Sequence, residues 1–239
     1  MAKGTDQKGK LQVWMLYGIV GLLSGIAAFI IDLLVDNLVL WKWSISQMII
    51  ENKSLNYAMF TFIAISVLFG GTAAIMTVFL GPGAIGSGTT ELMAYMNGIN
   101  YPKFIGFRTL FTKIFGTCLA VSAGPCVGKE GPLAHIGTII GISILYLPFK
   151  FLQKFRNEVD KREIACAGAA AGVSAAFGSP IGGSLLIYEA SKPSSFWTFD
   201  LTWKIFFCSS VATFCLNILS SIHKGEPVHI MNAGLIKFG

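Results

Sequence analysis

Two positions carry residue types suited to handling an anion inside a membrane. Glu130 stands directly before Gly131-Pro132, so Pro132 falls near the first turn of a helix. A carboxylate at that place sits in the positive end of the helix dipole. It also lies between two charge-free stretches, 114–128 and 131–149. An ionisable group at membrane depth is costly and marks a functional site by default. Its negative charge can occupy an anion site and leave it on protonation or displacement, which is a pH-sensitive gate. The plainer reading is a salt bridge with adjacent Lys129. Ser87 stands between Gly86 and Gly88, just before a short helix expected from about Thr89. Its hydroxyl can donate one hydrogen bond to a dehydrated anion, or serve as that helix's N-cap.

The elements that must position these residues are apolar. Of 239 residues, 54% are hydrophobic and 13% charged, and mean hydropathy is +0.66. A soluble domain carries roughly 25% charged residues. Residues 11–31, 54–90, 131–149, 164–188 and 205–222 are free of charge. About 20 mostly apolar residues span a bilayer as a helix. The expected class is therefore all-α, a polytopic membrane protein, and the composition excludes a disordered chain or an ordinary cytosolic enzyme.

The pattern predicts helices over about Leu11–Leu34, Tyr57–Phe79 and Leu201–Ile222. Shorter apolar pieces are expected near Glu91–Asn97, Leu110–Val121 and from Gly131 to before Pro148. Two short small-residue helices are expected over about Glu163–Ala175 and Ile181–Glu189. Residues 1–10 read as a cytosolic tail, 11–222 as the membrane domain and 223–239 as a loop. Glycine-proline breaks precede the short pieces: Gly81-Pro82-Gly83, Gly124-Pro125 and Gly178-Ser179-Pro180. Broken helices at membrane depth are tolerated where they line a cavity or are buried in protein. Their open first amides attract anions, and several aimed at one point form an anion pathway. Close packing through glycine is the alternative, and it suits Ala167–Ala176.

Other chemistries find less support. The five cysteines, Cys118, Cys126, Cys166, Cys208 and Cys215, are odd in number and lack CxxC spacing, against a disulfide framework or zinc site. His135, His223 and His229 show no metal-ligand spacing, so no metal or cofactor is expected. Net charge is +6, but the basic residues sit at span ends. Orientation with a cytosolic N-terminus explains them better than nucleic acid. Lys150, Lys154, Arg156, Lys161 and Arg162 mark a second cytosolic loop. Asp32 and Asp36 follow the first apolar run in place of a small-residue cleavage site, against a signal peptide. Asn52-Lys53-Ser54 fits a glycosylation acceptor, a triplet that often arises by chance. A rhomboid-type protease needs Gly-x-Ser-Gly, and Ile85 stands where the first glycine belongs. No enzyme is expected.

GSGTTELMAYMNG, VGKEGPLAHIG and GAAAGVSAAFGSPIGG resemble, in order and spacing, the three signature segments of CLC chloride channels and chloride/proton exchangers. The resemblance runs from about Val13 to Gly239. Ser195-Phe196-Trp197, Leu201-Thr202-Trp203 and Gly234-Leu235-Ile236 look nearest to the lysosomal and endosomal branch. The resemblance implies two inverted repeats of membrane helices, a homodimer with one pore per subunit, and bound chloride. It makes Ser87 a chloride ligand of the chloride-preferring type, with Gly88 and Gly131 beside the ion and Glu130 as the gate.

Three departures matter. Thr89-Thr90 replace the family's usual Ile-Pro. Exchangers carry a proton-path glutamate at the second position of a Glu-Glu pair; here Glu189 matches the first and Ala190 falls at the proton position. Alanine carries no proton, so the expectation is a channel-like chloride pathway, with an exchanger half as the alternative. The chain also resembles the first repeat alone, so its expected partners are chloride, membrane lipid and a missing second repeat. A non-conducting half that binds a full-length CLC subunit is the remaining reading.

Overall fold

The computed structural model describes residues 2–52, 54–149, 152–191 and 197–225, with side chains from Leu11 onward except Asn52. Their helices are α1 (Ala2–Asn52), α2 (Leu55–Phe79), α3 (Thr89–Met96), α4 (Phe107–Ala123), α5 (Glu130–Leu145), α6 (Glu158–Phe177), α7 (Pro180–Ser191) and α8 (Phe199–Lys224). Single 3-10 turns cover Pro82–Ala84 and Leu152–Phe155. No strand occurs among the described residues. The all-α architecture with short helices at glycine breaks is as expected.

Three of these helices hold segments long and apolar enough to cross a membrane: Leu11–Glu51, Leu55–Phe79 and Phe199–Lys224. On α2, Phe60, Val67, Leu68, Val78 and Phe79 are exposed, as suits a face turned to lipid.

Two helices differ from expectation. The first does not end near Leu34. It continues to Asn52, because no glycine or proline follows Gly25 within it and two of its inner charges, Asp32 and Lys42, find partners. Asp32 pairs with Lys129, and Lys42 donates to the ends of α4. At 51 residues and about 1.5 Å per residue, α1 far exceeds the roughly 30 Å hydrocarbon layer. The small-residue helix α6 is also longer than Glu163–Ala175. It starts at Glu158, with Glu158 and Asp160 favoured by the dipole of its first turn. The backbone of α1 is helical from Ala2 on, within the stretch read as a tail. The stretch 226–239, Lys53 of the glycosylation triplet, and Lys150 lie outside the described residues.

The core lies where α5 crosses α6. A Cβ added at Gly172 would stand 2.7 Å from the Leu133 carbonyl carbon, and one at Gly168 would stand 2.7 Å from that of Gly137. The two backbones touch, which glycine alone permits. Ala165, Ala167, Ala169, Ala170 and Ala171 are fully buried around this crossing. Close packing is thus the role of these small residues. Helix α1 lies against α8, where a Cβ at Gly25 would stand 2.6 Å from the Ala212 carbonyl oxygen. Cys118, Cys166 and Cys208 are buried packing residues, while Cys126 is exposed.

Candidate functional site

The starts of α3 and α5 meet at Ser87 and Gly131. A Cβ on Gly131 would lie 2.8 Å from Ser87 Cβ and 3.5 Å from Thr89 Cγ2, so only glycine lets the serine segment approach this closely. Gly88, with φ of +81°, is the residue preceding α3. That left-handed conformation turns the chain from the Ser87 loop into the helix at little cost for glycine. Ser87 is therefore one position too early to be the N-cap. Its Oγ lies 2.8 Å from Thr89 Oγ1 and accepts a long hydrogen bond from Thr89 N–H at 3.4 Å.

Glu130 is the first residue of α5, with Gly131 and Pro132 in the same turn. Its carboxylate folds back over Gly128, with Cδ 2.9 Å from where a Cβ of that glycine would stand. The expected alternative, a pair with Lys129, is not what forms: Lys129 pairs with Asp32 of α1. α1 holds the segment before α5 at a second point. The buried Lys42 Nζ donates to Ser122 O at 2.8 Å and Ala123 O at 3.2 Å, and lies 4.5 Å above the Phe62 ring. A cation there complements the carbonyl end of α4.

Two cavities flank the meeting point. One, of about 490 Å³, is lined by small residues of α2 and α4 together with Ser87, Gly128 and Pro132. The other, of about 200 Å³, is apolar and lined by Thr89, Glu130, Gly131, Phe177, Leu186 and Ala190, among others. Ser87, Gly88, Gly131 and Glu130 are thus brought together. Ala190 shares the second cavity with Glu130, whereas Glu189 is exposed outside it.

Two further residues escaped the sequence reading. Lys113 of α4 is buried, and its Nζ donates to Ala84 O at 3.1 Å and Gly86 O at 2.8 Å. It ties down the loop that carries Ser87. A lysine inside the apolar piece Leu110–Val121 was signal enough. His135 is fully buried on α5, donates from Nε2 to Phe104 O at 3.0 Å, and stacks on the Phe104 ring at 4.1 Å. Its Nδ1 has no hydrogen-bond partner and lies against Gly88. Only the contact reveals that role, since histidine spacing carried no message. Among the described residues no cluster of three or more His, Cys, Asp or Glu could hold a metal.

Comparison with known proteins places this geometry. The chain is 35% identical over 241 residues to the H(+)/Cl(-) exchange transporter 7 of Homo sapiens, covering 96% of this chain and 30% of that protein. It is 36% identical to chloride channel protein A of Dictyostelium discoideum, covering 95% of this chain and 26% of that one. The chain therefore spans about a third or less of the length of these relatives. The fold matches a crystal structure of a eukaryotic CLC transporter with a TM-score of 0.77 at 21% identity, over 88% of this chain and 38% of that one. It matches a slow cyanobacterial Cl-/H+ antiporter with a TM-score of 0.74 at 23% identity, over 87% and 46%. A family model for the voltage gated chloride channel matches residues 69–236, well over half of the chain, and the chain belongs to that family, the CLC proteins.

Proposed function

We propose that this chain supplies one half of a chloride pathway, with Ser87, Gly88 and Gly131 around the ion and Glu130 as its gate. The observation that carries this reading is the contact of Ser87 with Gly131, which aims the starts of α3 and α5 at one point. Open amides and a hydroxyl converging there suit a dehydrated anion. Glu130, one residue away, is a carboxylate that can compete for the same place.

The pathway conducts without stoichiometric proton coupling. The relatives are named both as exchangers and as channels, so the family does not decide between them. The residue that bears on it is Ala190, which lines the cavity of Glu130 and has no ionisable group to load it. Glu189 is exposed and outside that cavity. A second repeat, supplied in the same or another chain, completes the pathway, and the complete pore is a homodimer in an endomembrane.

Chloride efflux from liposomes containing this chain tests the reading, with Glu130→Ala in parallel. Efflux from the wild type should depend on pH, and the variant should conduct with no pH dependence. A variant that keeps the wild-type pH profile makes Glu130 structural. Ala190→Glu should add proton flux driven by the chloride gradient; unchanged proton flux removes Ala190 as the reason for uncoupled conduction. No efflux from any variant favours a non-conducting half, and binding to a full-length relative is then the measurement.

A further inference from the structure

Thr89, the first residue of α3, carries a hydroxyl that meets Ser87. The two oxygens are 2.8 Å apart, and Thr89 N–H reaches the same Ser87 Oγ at 3.4 Å. A serine oxygen has two acceptor lone pairs and one proton. If Thr89 donates through both N–H and O–H, both lone pairs of Ser87 are used and its proton is left to face outward. The reverse orientation consumes the Ser87 proton internally. It is the orientation that an incoming anion disfavours, because a hydroxyl that accepts a hydrogen bond becomes a stronger donor.

The surroundings hold the pair in this arrangement. Gly131 accepts both side chains against its bare Cα. The fully buried His135 ring lies against Gly88 between them, with its unpartnered Nδ1 directed there. Because Nε2 donates to Phe104 O, Nδ1 of the neutral ring is an acceptor and offers the anion no competing proton. Ser87 lines the larger cavity, and Thr89 lines the smaller one with Glu130. The hydroxyl pair therefore stands between the two spaces.

We propose that Thr89 sets the anion preference of this pathway, its hydroxyl donating to Ser87 Oγ and turning the Ser87 proton onto the bound ion. This rests on the reading of Ser87 as the anion ligand. A polarised donor favours chloride, which is compact and accepts strongly, over thiocyanate, whose charge is diffuse.

The test is chloride binding to the full chain in detergent by chlorine NMR line broadening, with displacement by thiocyanate. Thr89→Val keeps the shape and removes the hydroxyl. It should weaken chloride binding about tenfold and leave thiocyanate binding within about twofold, the loss of one polarising hydrogen bond. Thr89→Ser keeps the hydroxyl and should bind as the wild type does. Thr89→Ile, which also lacks the hydroxyl, should reproduce Val and serves if Val does not fold. A wild-type ratio of chloride to thiocyanate affinity in Val or Ile overturns the proposal, as does a Ser variant that behaves like Val. Ser87→Ala separates the underlying reading. If it binds chloride like the wild type, Ser87 is not the ligand and both readings fall; a wild type that binds no chloride overturns the reading that this half alone holds the ion, and with it the role of Thr89. If it loses binding while Val does not, only the role of Thr89 falls.

Discussion

Helix α5 takes part in two close contacts, and they are built in opposite ways. Its middle crosses α6 backbone to backbone through Gly137, Gly168 and Gly172, surrounded by fully buried alanines. Its first turn meets Ser87 through Gly131, beside two cavities, a half-buried carboxylate and an exposed loop. Neither contact has room for an added methyl, but open space of about 490 and 200 Å³ adjoins the first turn. The close-packed crossing fixes the axis of α5, while the first amides of any helix have no partner within it. A site made of unsatisfied donors needs a scaffold that does not need those donors.

Substitutions break this comparison in order of size. Gly172→Leu drives a side chain into the Leu133 carbonyl and should cost more than about 3 kcal/mol, enough to lose a folded, monodisperse protein in detergent. Size-exclusion and thermal unfolding measure it; a variant as stable as the wild type would remove the crossing as the scaffold. Lys113→Met comes next. It strips the Ala84 and Gly86 carbonyls of their donor, and removing a buried charge offsets part of that loss. The net cost should be about 1–2 kcal/mol in thermal unfolding, with weaker chloride binding because the Ser87 loop is no longer held. Unchanged chloride affinity would show that Lys113 serves the fold alone. Asp32→Asn is the smallest. The pair with Lys129 is about a third exposed on both sides, so its loss should cost less than about 1 kcal/mol and shrink further in high salt. A larger, salt-independent loss would mean that α1 holds the Glu130 segment more firmly than a half-exposed ion pair can.

The glycine breaks at Gly81-Pro82, Gly124-Pro125 and Gly178-Ser179-Pro180 were legible because glycine and proline act locally, and helices end or begin at each. The length of α1 was not. The helix expected to end near Leu34 runs on, and the contacts of Asp32 with Lys129 and of Lys42 with the end of α4 accommodate its charges. The plainer alternative for Glu130, a pair with adjacent Lys129, is likewise one the fold makes elsewhere, with Asp32.

The sequence by itself determined an all-α membrane chain and the places where helices break, and it pointed to Ser87 and Glu130 as the residues whose chemistry suits an anion. These follow from local preference and from the cost of charge in lipid, which are read one segment at a time. Tertiary structure decided what no segment contains. It set Ser87 on Gly131, put Lys113 on the carbonyls of the Ser87 loop, and placed Glu130 and Ala190 in one cavity. Those are contacts between parts of the chain far apart in sequence, which only the packed fold brings together.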